Sequence, residues 1–135
     1  MIKMEELLKG VKFESIPPEH QANLLKLLEK INIVREKYGK PMTVTSGYRS
    51  KEDQIRIYKA KGIPESKIPW GSQHLCGAAI DIADSSGEFY KWCKNNEKLL
   101  IEVGVWLETR QGNWQHLQIY PFKSYKVGGT IWFNP

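Results

Sequence analysis

Ser72-Gln73-His74-Leu75-Cys76-Gly77-Ala78-Ala79-Ile80-Asp81 is the stretch on which the reading of this chain turns. It sets a histidine on a polar loop and then an aspartate between Ile80 and Ile82. Residues 78–83 have the short apolar character of a buried strand. A carboxylate inside such a strand is costly unless it is paired or bound to a cation. Gly77 permits a tight turn before the strand, and Ala78 and Ala79 let another backbone approach closely.

Downstream, apolar and polar residues alternate. Val103, Val105 and Leu107 point one way, with Trp106 and Glu108 the other; after a turn, Trp114, His116 and Gln118 oppose Leu117 and Ile119. This predicts a β-hairpin with one apolar face and one face carrying polar side chains. His116 thereby becomes a third candidate ligand beside His74 and Asp81. Two imidazoles and one carboxylate are a catalytic zinc set, because they leave the fourth position open. A zinc ion so held acidifies a water to near-neutral pKa and polarises a carbonyl.

Upstream of the quoted stretch, Leu24, Leu27, Leu28, Ile31, Val34 and Tyr38 recur at three- and four-residue spacing, which predicts an amphipathic helix over 19–38. Gly39 and Pro41 end it. Residues 1–18 read as a lead-in closing on Pro17-Pro18, a pair suited to a first helical turn. Met42-Thr43-Val44-Thr45 predicts a short strand, followed by the turn Ser46-Gly47-Tyr48-Arg49. Ser50, with Asp53 three residues on, caps a helix that carries Ile55, Ile57 and Tyr58 and ends near Gly62. A polar loop then runs from 64 to about 72, and 88–96 predicts a second amphipathic helix. Helices followed by mostly antiparallel strands make an α+β domain, a small sheet with helices packed against it. No linker divides residues 1–135, which read as a single domain.

The chain has 135 residues, 41 % hydrophobic and 26 % charged, enough apolar material for a core without disulfides. Cys76 and Cys93 read as ordinary reduced thiols. The net charge of +5 favours anionic partners such as nucleic acid or an anionic cell wall. Its lysines are spread along the chain and no nucleic-acid-binding motif is present, so no nucleic-acid partner is expected. No segment approaches the ~20 apolar residues of a membrane span, so no membrane partner is expected either. Glu5 and Glu6 stand where a signal peptide needs an apolar run, which predicts synthesis in the cytoplasm. A monomer is the default expectation. His20, near the start of the long helix, is expected to be exposed.

Ser72-x-His74-x6-Asp81 followed by Trp114-x-His116 resembles the zinc D-alanyl-D-alanine carboxypeptidases and dipeptidases, together with the L-alanyl-D-glutamate endopeptidases of phage endolysins. These are enzymes of peptidase family M15, whose fold the hedgehog signalling domain shares. Ser46-Gly47-Tyr48-Arg49-Ser50 is similar to that family's segment upstream of the metal site, and the resemblance covers roughly residues 40–135. It implies a hedgehog/D,D-peptidase-like fold and one zinc ion on His74, Asp81 and His116. It implies further that Arg49 binds or polarises the substrate and that Ser72 hydrogen-bonds the peptide. The substrate it implies is a peptidoglycan stem peptide, cut next to a D-amino acid, with the wall reached after release or as a phage component.

One departure stands out. The family usually places an acid three residues before the second histidine as the catalytic proton acceptor, and here that position is Asn113. An amide cannot accept and return the proton, so Asn113 taken alone favours a non-catalytic zinc module that binds wall peptide or protein. The hairpin offers another acid. If Val105 and Leu107 share a face with Leu117 and Ile119, Glu108 falls on the face of His116, and directly opposed β-carbons lie about 4.5–5.5 Å apart. A one-residue slip would turn Glu108 away and bring Leu107 to the metal. Glu108 is the expected base.

Overall fold

A computed structural model describes residues 1–134. Among these, the helices are α1 (Met4–Leu8), α2 (Pro18–Tyr38), α3 (Lys51–Ala60), α4 (Glu88–Asn95) and α5 (Glu97–Val103). The strands are β1 (Val44–Ser46), β2 (Ala79–Ala83), β3 (Trp106–Glu108), β4 (Trp114–Gln118) and β5 (Trp132–Phe133).

The long helix forms as its spacing predicts. Leu24, Leu27, Ile31 and Val34 are buried along one face of α2, each burial being worth about 1.5–3 kcal/mol relative to exposure. Gly39 ends the helix in the left-handed conformation at φ 77°. The Ser50 hydroxyl accepts from the Asp53 N–H while the Asp53 carboxylate accepts from the Ser50 N–H, the reciprocal cap expected for α3.

The five strands form one sheet in the order β1-β2-β4-β3-β5. Every neighbouring pair is antiparallel except β3 and β5, which are parallel. The architecture is α+β. Register sorts the side chains onto two faces. Ile80 pairs with Leu117, Ile82 with Gln115, and Leu107 with both Leu117 and Trp132. This face lies in the core with Leu24, Leu27, Ile31, Phe89 and Leu100. Ala79 with Gln118, Asp81 with His116, and Ala83 with Trp114 share the opposite face.

Three expectations need correction. Val103 does not begin a strand. It ends α5, and Gly104 at φ 88° closes that helix, so the strand starts only at Trp106. Leu99, Leu100 and Val103 keep helical spacing, and the left-handed glycine after them is a helix stop that the alternation obscured. Residues 1–18 are more than a lead-in: they form α1 and put Ile2, Leu7, Leu8 and Ile16 into the core. The Tyr48 N–H donates to Leu7 O at 2.8 Å, and a Cβ on Gly47 would come within 2.3 Å of that oxygen. The first helix therefore rests directly on the turn that carries Arg49. His20 is half-buried rather than exposed, its Nδ1 3.3 Å from the Tyr48 hydroxyl.

Cys76 and Cys93 are both free thiols. Among the described residues, no helix is long and apolar enough to cross a membrane.

Candidate metal centre

His74 sits in a 3-10 turn, Gln73–Cys76, whose start is capped by Ser72. The Ser72 Oγ accepts from the His74 N–H at 3.3 Å. Gly77 closes the turn at φ 78°, where a Cβ would lie 2.8 Å from Leu24 Cγ and 2.9 Å from His20 O. Only glycine lets the turn lie this close to α2. Asp81 is the middle residue of β2 and stands directly opposite His116 of β4. The loop and two strands thus converge, and one ligand atom from each of the three residues lies within 4.8 Å of the others. All three are buried, at 3 %, 7 % and 8 % exposure.

Hydrogen-bond chemistry decides what these atoms can hold. His74 Nδ1 is 2.7 Å from Gly47 O. A carbonyl only accepts, so Nδ1 carries the hydrogen and the Nε2 lone pair faces Asp81 Oδ1 at 3.2 Å. His116 Nδ1 approaches the same oxygen at 2.8 Å. A lone pair aimed at a carboxylate oxygen is repelled unless a proton or a cation lies between them. Two ring nitrogens and one carboxylate oxygen are the donor types zinc takes, and the residues present fit such an ion.

Burial pushes the His74 ring below the ordinary histidine range, against the pull of Asp81. For His116, burial again opposes the charged ring, but Asp81 and Gln118, which accept from its two nitrogens only when both are protonated, outweigh it and raise its affinity for a proton. Burial would raise Asp81, yet the imidazoles of His116 and His74 set against it favour its anion and hold it well below the usual carboxylate range. The anion at the centre is therefore secure at neutral pH.

The site opens into a cleft of about 580 Å³ lined by Arg49, Ser72, Glu108 and Trp114 as well as the three candidate ligands. Arg49 is held on three sides. Its Nε donates to Ser46 Oγ at 3.0 Å, its Nη1 to Gln54 Oε1 at 3.3 Å, and its Nη2 lies 3.7 Å from Asp81 Oδ2. Gln54 is fully buried and also donates to Pro69 O, so it locks the guanidinium to the cleft wall. Glu108 faces the cleft from β3, and burial raises its carboxyl above the ordinary range. Its backbone is pinned where β3 and β4 part, because the Gln115 amide donates to Glu108 O at 2.8 Å.

Asn113 does not join this group. It is exposed, precedes β4, and lines a separate cavity with Tyr38, Thr45 and Asp84. The reason is strand parity. Trp114 and His116 occupy the cleft face, and Asn113, one residue before the strand, falls outside that pattern.

Several cleft residues were not singled out from sequence. Tyr58, Pro69, Phe122 and Phe133 supply an apolar wall, with Lys61 and Lys123 as additional cations. Phe133 meets the His116 ring edge-on, centroids 5.9 Å apart. Phe122 and Phe133 come from a segment with no periodicity to mark it, and only the parallel pairing of β5 with β3 brings Phe133 in.

The model of the family Peptidase M15 matches residues 2–118. The chain belongs to the peptidase M15 family. Among solved structures it is similar to the Serratia marcescens L-Ala D-Glu endopeptidase ChiX, at 20 % sequence identity and a TM-score of 0.49, over 76 % of this chain and 87 % of that one. No curated protein sequence matches the chain.

Proposed function

We propose that this chain is a zinc peptidase that hydrolyses a peptide bond next to a D-amino acid in bacterial peptidoglycan stem peptides. The observation that carries the reading is the meeting of His74, Asp81 and His116 at the floor of a cleft that also holds Glu108 and Arg49. Zinc, when bound, supplies a Lewis acid for the scissile carbonyl and makes the attacking water acidic enough to lose its proton near neutral pH.

The protein's own groups do the rest. Glu108 takes the proton of the attacking water and returns it to the leaving amine. Burial suits it to that task, since a proton acceptor works best with a pKa drawn towards the working pH. Arg49, already immobilised by Ser46, Gln54 and Asp81, offers a fixed positive charge to the oxyanion that develops on the carbonyl. The Ser72 oxygen is engaged as an acceptor, so its own O–H is the donor it presents to the peptide backbone.

A non-catalytic zinc module of the same fold is the alternative that Asn113 suggests. The position of Glu108 favours turnover instead, because an acid lines the cleft and Asn113 does not. Zinc-loaded protein incubated with purified peptidoglycan is expected to release D-alanine or generate new amino termini, and which of the two appears tells a carboxypeptidase from an endopeptidase. Binding to the wall without either product would establish the module reading.

A further inference from the structure

His116 has two ring nitrogens, and only Nδ1 points at the Asp81 oxygen shared with His74. The other, Nε2, faces away and lies 2.8 Å from Gln118 Oε1. The orientation of that amide is itself determined. Gln118 Nε2 donates to Tyr120 O at 3.0 Å. Turning the amide over would set its oxygen against the Tyr120 carbonyl, two acceptors facing each other. Oε1 must therefore face the ring, and a carbonyl oxygen can only accept. The ring hydrogen belongs on Nε2, and Nδ1 keeps its lone pair for the ligand position.

The anchor is held in turn. Gln73 Nε2 also donates to Tyr120 O, at 3.0 Å, while the Tyr120 N–H donates to Gln73 Oε1 at 3.3 Å. Gln73 immediately precedes His74. One relay of amide, backbone and amide thus links the turn carrying His74 to the side chain that orients His116. Gln118 is 5 % exposed, so water does not stand in for it.

We propose that Gln118 is a positioning residue that makes His116 an Nδ1 ligand by fixing its tautomer. The inference rests on the reading of His74, Asp81 and His116 as a metal centre. Without an acceptor at Nε2, the ring is free to place its hydrogen on Nδ1, where it points into the ligand position and must be displaced before an ion binds. Removing an outer hydrogen-bond partner of this kind typically weakens metal binding by about 10–100-fold.

The test measures zinc affinity by chelator competition and histidine tautomers by ¹⁵N spectroscopy. Gln118→Met keeps the volume and loses the acceptor, and it is expected to weaken zinc binding by about 10–100-fold. Gln118→Glu retains an oxygen acceptor for Nε2 but sets its second oxygen against the Tyr120 carbonyl, so it is expected to bind zinc more tightly than Gln118→Met and less tightly than wild type. In zinc-loaded wild-type protein, His116 is expected to carry its hydrogen on Nε2, against Gln118 Oε1, and to hold the ion through Nδ1. Wild-type zinc affinity in Gln118→Met, or zinc held through His116 Nε2 in the unmutated protein, would overturn the proposal; the second result needs no variant to fold. Failure of the wild-type protein to bind zinc at all would overturn the metal-centre reading itself, and that arm is read before any variant.

Discussion

Leu107 lies opposite Leu117 in the β3–β4 ladder, with Trp106 opposite Gln118. That register places Glu108 on the His116 face, because side chains alternate along a strand and a one-residue slip would exchange the faces. Glu108→Gln keeps the shape and removes the proton acceptor. It is expected to lower kcat by about 10²–10⁴-fold while zinc content stays that of wild type. Full peptidoglycan hydrolysis by a zinc-replete Glu108→Gln protein would remove Glu108 from the mechanism.

Asp81 is the residue on which both histidines converge, so Asp81→Asn is expected to abolish tight metal binding. In the wild type, zinc is expected to stabilise the folded chain by about 2.7 kcal/mol at a hundredfold excess over Kd, a rise of several degrees in Tm. Calorimetry with and without a chelator checks both points. A Tm in Asp81→Asn that still rises with zinc as in the wild type would count against the assigned ligands.

Arg49 makes three directed contacts that a lysine ammonium cannot reproduce together. Arg49→Lys keeps the charge but loses its placement, and misplacement of this order costs about 10²-fold in rate. The expected result is a lower kcat/KM with zinc affinity retained. Equal activity would mean that charge alone suffices.

Asp53 titrates as part of the α3 cap. Its hydrogen bond with Arg56, and then those with Ser50, hold its carboxyl below the ordinary value against the effect of burial. A folded pKa below the unfolded one contributes stability that is present above the unfolded value of about 3.9 and fades as pH falls through the folded value. Because the group is partly exposed, the contribution stays under about 1 kcal/mol. Asp53→Asn is therefore expected to lower Tm slightly at pH 7 and to match the wild type near pH 2. A gap that persists unchanged in acid would contradict the linkage.

Gly47 is where α1 presses on the turn before Arg49. Gly47→Ala puts a Cβ within 2.3 Å of Leu7 O, and such overpacking against backbone costs about 1–3 kcal/mol. Gly71→Ala, with nothing within 4 Å, is expected to stay within about 0.5 kcal/mol of wild type. Urea denaturation separates the two. Identical midpoints would mean that the N-terminal helix does not bear on the turn.

Much of the site is legible in the sequence. The long helix, the Ser50–Asp53 cap, the carboxylate within an apolar strand and the parity of His116 are all local patterns. Spacing of 3.6 or 2 residues decides which side of an element a residue faces, wherever that element later packs. The sequence by itself therefore determined which residues were candidates for the metal and which acid could share their face.

Tertiary structure decided the rest. That α1 supports the Arg49 turn and that β5 brings Phe133 to the cleft depend on contacts between segments far apart in the chain. The orientation of His116 by Gln118 depends on an amide whose direction is set by the Tyr120 carbonyl. Hydrogen bonds have distance and angle requirements that only assembled neighbours can meet. Periodicity supplies the face; packing supplies the partner.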